Sequence, residues 1–159
     1  GMHGANATGR PFTGDHAGIL LYQTLHKYGF ASAPESVSAD DGLQLIGCCI
    51  TNAVKCLPPQ NKPVGAEINQ CRDFLSAELG GFRSGGVVLA LGSIAHKSVV
   101  AGFGLRQKDA VFGHAVEHAM PRGITLIDSY HCSRYNTQTQ RLTTPMFEQV
   151  FARARALLG

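Results

Sequence analysis

The run Val87-Val-Leu-Ala-Leu91 constrains this chain more than any other feature. Consecutive apolar residues leave no polar face, so a strand built from them has to be covered on both sides. Gly92 ends the run, and Ser93 is placed to cap a helix continuing to about Val100. Ile124 to Ser129 predicts a second strand of this kind, and Gly47 to Val54 a third. Helical spacing fills the intervals. Asp15 is placed to cap a helix from about His16 to Tyr28, with Ile19, Leu20, Tyr22, Leu25 and Phe30 on its apolar face. Ile68, Cys71, Leu75 and Leu79 repeat at helical intervals over Ala66 to Leu79, and Gly80-Gly81 stops them. Thr143 to Leu158 closes the chain as a helix, with Thr143 as its cap and Pro145 in its first turn. Gly1 to Gly14, Lys55 to Val64, residues 102–123 and Tyr130 to Leu142 read as loops. Strands alternating with helices predict an α/β fold around a parallel sheet.

A chain of 159 residues, 44% hydrophobic and 16% charged, is expected to form one domain over 1–159 with a real core. Its apolar runs fall far short of the ~20 residues that span a bilayer, and no basic start leads into one, so no membrane partner is expected. The formal charge is +3, a surplus that permits a polyanionic partner without demanding one. Its distribution is more telling. Arg134, Arg141, Arg153 and Arg155 fall in the last stretch of chain, against the single acid Glu148. Five cysteines, an odd number, point to a reduced, cytoplasmic setting rather than a disulfide framework.

In parallel sheets the working residues sit in loops beyond the carboxyl ends of the strands. Ser129-Tyr-His-Cys-Ser-Arg-Tyr-Asn-Thr-Gln-Thr139 puts a histidine directly after a buried strand and follows it with polar and aromatic residues. A long ordered polar loop of this type carries function more often than not, although a capping histidine would satisfy the same pattern. Asn52, in an apolar strand, must find partners for its amide; neighbouring backbone could supply them, or the edge of a pyrimidine. Phe12, between Pro11 and a glycine turn, is oddly apolar for a loop and could serve as a stacking platform. Asp15 reads equally well as a helix cap and as a carboxylate facing whatever lies over that helix end.

The cysteines and one histidine motif need separate weighing. Cys56 and Cys71 alone cannot complete a zinc or iron–sulfur site, and buried free thiols are their simplest reading. Cys48 and Cys49 are adjacent in the expected strand and read as core. His114-Ala-Val-Glu-His118 matches the inverted zinc-peptidase motif letter for letter. That motif needs a long helix, whereas Gly113, Pro121 and Gly123 crowd this one, so it is expected to be coincidental.

Taken together, five segments resemble the uracil-DNA glycosylase superfamily, and most of all its family 5 (type b) branch. They are His3-Gly-Ala-Asn-Ala-Thr-Gly-Arg-Pro-Phe-Thr-Gly-Asp15, Ile50 to Pro63, Val87 to Gly92, Phe112-Gly-His-Ala115, and Ser129 to Thr139 followed by Arg141-Leu-Thr143. They occur in family order and cover essentially the whole chain. The resemblance implies a three-layer α/β/α domain with a short parallel central sheet. In the family, a cysteine pair and a first strand precede the histidine–glycine matched here by His3-Gly4, and neither is present in this sequence.

The resemblance also implies roles. Phe12 would stack on a flipped base, Asn52 would read the uracil edge, and His131 would face uracil O2. Asp15 would be the carboxylate near the attacking water. Ser133, Arg134, Tyr135 and Asn136 would lie in the loop that wedges into the duplex, with Arg141 close by on phosphate. Cys56 and Cys71 would be two of four ligands to a [4Fe-4S] cluster, which is expected to be absent or incomplete in this chain. The activity implied is hydrolysis of the N-glycosidic bond of uracil, or a related deaminated base, in DNA. The alternative is a catalytically weak or inactive glycosylase-fold chain that binds nucleic acid or another partner.

Overall fold

In the computed structural model, residues 16–38, 41–51 and 78–159 are described. The chain divides into two compact units. One comprises Gly1–Asn52 with His131–Ala152, the other Ala53–Tyr130 with Arg153–Gly159.

The second unit holds the sheet. Strand β1 (Val87–Leu91) follows the apolar run residue for residue, and helix α1 (His16–Lys27) of the other unit precedes it in the chain. After β1 come helix α2 (Ser93–Gly102), strand β2 (Glu117–Ala119) and strand β3 (Thr125–Ser129). Their order in the sheet is β1-β3-β2. β1 and β3 are parallel, with Val87 opposite Thr125 and Ala90 opposite Asp128. β2 runs antiparallel to β3, so the sheet is mixed rather than wholly parallel. The reason is length: residues 120–124 are too few for the crossover of a dozen or more that a parallel return requires.

Side chains alternate along β3, so Leu126 and Asp128 share one face. Leu126 joins Ala90, Val99, Val100, Ala110, Met120 and Ile124 in the core. On α2, His96, Val99 and Val100 are buried together, as residues three and four apart on a helix should be. Gly92 turns the chain from β1 into α2 with φ 97°, a value side chains rarely accept, and donates its N–H to the Ser129 carbonyl at 2.8 Å. Gly92 therefore holds the cap position expected of Ser93, which instead begins the helix without a side-chain cap. Arg122, itself in the left-handed region at φ 61°, directs its guanidinium to the carbonyls of Leu79, Gly80 and Phe82. It thereby satisfies the end of the helical turn at 78–80.

The first unit contains α1, helix α3 (Arg134–Gln138) and most of helix α4 (Thr144–Leu158). Leu21, Tyr22, Leu25, Phe30, Cys132, Leu142, Phe147, Val150 and Phe151 are among its buried apolar residues. Thr143 caps α4 as expected, its Oγ1 accepting the Met146 N–H at 3.4 Å. The strand expected from Gly47 is absent from the described part of that segment, residues 47–51. Gly47 adopts φ 67°, which breaks an extended backbone, and the pairing nearby is a lone Ala31–Leu45 bridge. Cys48 is accordingly half-buried and Cys49 exposed, so they are not the core pair expected. No described helix is long and apolar enough to cross a membrane.

Candidate active site and a buried histidine–aspartate trio

The expected loop after β3 is partly helical. Ser133 Oγ accepts the Asn136 N–H at 3.3 Å and so caps α3. Asn136 Nδ2 donates to the His131 carbonyl at 2.9 Å, and its own carbonyl accepts from Leu142 at 3.0 Å. Three of the expected site residues, His131, Ser133 and Asn136, are thus tied to one another by hydrogen bonds. Arg134 and Tyr135 lie on the exposed side of α3, Tyr135 being 70% exposed, and Arg141 is exposed beyond it. Cys132, between His131 and the cap, is fully buried and anchors the segment. The Thr137 hydroxyl gives its hydrogen to backbone carbonyls of Ser133 and Arg134, so its oxygen accepts from His16 Nε2 at 3.3 Å. The first turn of α1 is thereby joined to α3.

Phe12, Asp15, Asn52, Cys56 and Cys71 lie outside the described residues. Of the arginines noted for their charge, Arg153 is held by Glu117 through a two-pronged contact at 2.8 and 3.2 Å. It is thus engaged in a partly exposed ion pair.

A [4Fe-4S] cluster held by protein alone needs four thiolates. Among the described residues no three thiols come together. Cys48 Sγ donates to the Phe30 carbonyl at 3.4 Å, and burial, then the neighbouring Cys49, push its thiol above the ordinary range. The described cysteines do not form a donor set for the cluster.

The second unit contains a polar group that sequence reasoning missed. Asp128, fully buried in β3, places one oxygen 2.7 Å from His96 Nδ1 and the other 2.8 Å from His118 Nε2. His96 Nε2 donates to the Ala110 carbonyl at 2.7 Å, since a carbonyl can only accept. The Phe112 ring stands edge-on to His96, with centroids 5.6 Å apart. The letters of the expected coincidental motif part company here. His118 joins Asp128, Glu117 joins Arg153, and His114 Nδ1 accepts the Tyr130 N–H at 3.0 Å while its ring stacks on Tyr130. The clue available in the sequence was a carboxylate inside the apolar run Ile124 to Ser129, which had to find buried partners.

The model of the uracil DNA glycosylase superfamily matches residues 1–155. The chain belongs to that superfamily. Its relatives within the superfamily are close in sequence. It is 47% identical to a type-5 uracil-DNA glycosylase of Thermus thermophilus over 159 residues, all of this chain and 72% of that protein. It is 40% identical over 157 residues to a type-5 uracil-DNA glycosylase of Pyrobaculum aerophilum, spanning 99% of this chain and 68% of the relative. A third, from Mycobacterium tuberculosis, is 40% identical over 163 residues, with 99% of this chain and 59% of the relative covered. For a superfamily member, the open α/β sheet of the second unit, with parallel β1 and β3, is the expected architecture.

Proposed function

We propose that this chain excises uracil from DNA by hydrolysing the N-glycosidic bond. The observation carrying this reading is its identity to type-5 uracil-DNA glycosylases along its full length. A base inside a duplex is unreachable, so it must be extruded at a cost of a few kcal/mol. Phe12 would receive the flipped base, and Asn52 and His131 would donate to the uracil as negative charge builds on it. Donors held in place in advance act most strongly there, because they need no rearrangement as the charge develops. The bonding of His131, Ser133 and Asn136 to one another supports such preorganisation. Asp15 would orient water and offset the positive charge growing on the sugar. Ser133 to Asn136 would meet the duplex, a reading supported by the exposure of Tyr135.

An oligonucleotide carrying one uracil tests the activity: alkali-labile breaks at that position are expected in single-turnover conditions. Intact uracil strands together with DNA binding would instead support the non-cleaving alternative. Binding should also be electrostatic. Arg134 and Arg141 are the arginines of this reading, and log K should fall with log salt by about 0.9 per phosphate neutralised. Salt-independent affinity would contradict it.

Cys56 and Cys71 are the family's cluster positions within this chain. Because Cys48 is bonded to the Phe30 carbonyl and Cys132 is fully buried, we expect these 159 residues to bind less than a full cluster. Anaerobic purification followed by iron analysis checks this, and about four irons per chain would overturn it.

A further inference from the structure

The trio in the second unit has the donors, the burial and the outer support of a metal site. His96 Nδ1, His118 Nε2 and a carboxylate oxygen of Asp128 all lie within 4.8 Å of one another. Two imidazoles and one carboxylate, without thiolate, suit a divalent first-row cation such as zinc. Ligand imidazoles in metal proteins almost always donate their other N–H to a carbonyl or carboxylate, which fixes ring and tautomer. His96 does this to the Ala110 carbonyl at 2.7 Å. The Gly113 N–H approaches Asp128 Oδ2 at 3.4 Å, a second support for the carboxylate.

Access and geometry are also compatible. The His96 and Asp128 side chains are 2% and 0% exposed, while that of His118, on edge strand β2, is 11% exposed and offers the way in. The two imidazole nitrogens stand 2.7 and 2.8 Å from the two carboxylate oxygens. A cation with bonds of about 2.0–2.2 Å would need these pairs to part by about half an ångström. It would replace the imidazole–carboxylate hydrogen bonds and keep a fourth position open to water.

We propose that His96, His118 and Asp128 form a binding site for a divalent transition-metal cation, separate from the residues assigned to base excision. The test uses Zn²⁺ alone, titrated into the full chain after native alkylation with iodoacetamide to suppress thiol binding. One equivalent should bind, and X-ray absorption should show a nitrogen/oxygen shell at about 2.0–2.1 Å. His118→Ala should weaken binding at least about 10-fold, the lower range for losing even an outer partner of a ligand. Absence of binding, a sulfur shell at about 2.3 Å, or affinity unchanged in His118→Ala would each overturn the proposal. The absorption spectrum of the unmutated chain keeps the question decidable if the variant does not fold. Because the readout is bound metal, a negative result leaves the glycosylase reading standing.

Discussion

His131→Ala is expected to lower single-turnover excision of uracil at least ~10²-fold while DNA affinity changes little. The argument is one of charge. Breaking the glycosidic bond leaves negative charge on the departing base, and a donor fixed beside it lowers the barrier by roughly 3 kcal/mol. His131 sits two residues beyond the end of β3, and its backbone carbonyl is tied to Asn136. The backbone beneath the imidazole is thus anchored independently of that side chain. Removing the ring should therefore delete a donor without unravelling α3, whose cap is Ser133. Affinity resting on phosphate contacts should survive, since His131 supplies none of the charge that holds the backbone. Unchanged cleavage in the variant would remove His131 from the reaction.

Asp128→Ala is expected to cost the fold about 3–5 kcal/mol. The carboxyl is fully buried and occupied at both oxygens, so truncating it strands two imidazoles at once. His96, itself buried, would keep Ala110 as a partner on one nitrogen and lose the partner on the other. Urea denaturation in metal-free buffer measures the loss. A change below ~1 kcal/mol would mean the trio is not formed in solution.

The parts of this fold that announced themselves are those with many residues obeying one rule. Val87 to Leu91 is uniformly apolar and became β1 without adjustment; His16 to Lys27 and Thr144 to Leu158 carry a helical stripe long enough to read. Strand β2 is only Glu117–Ala119, with both ends exposed, so no alternation could develop. Helix α3 is similarly short, and its signal was chemical rather than periodic: a serine cap with threonines that bond back to preceding carbonyls. At Gly47 the apolar residues after it argued for a strand, but a left-handed glycine won. Among the proposed site residues, His131 could be singled out because it follows a strand end, where loops work. His96 and Asp128 were not, because they meet across 32 positions of sequence and belong to no shared pattern.

The histidine–aspartate trio also bears on how this sequence can drift. Removing one member leaves a partner short of a hydrogen bond in the interior, yet replacing all of them together with well-packed apolar residues can be neutral or even favourable. Each single step away is costly while the completed journey is not. His96, His118 and Asp128 should therefore be kept or lost as a set among descendants of this chain. A lone survivor of the trio would mark a lineage caught between two workable cores.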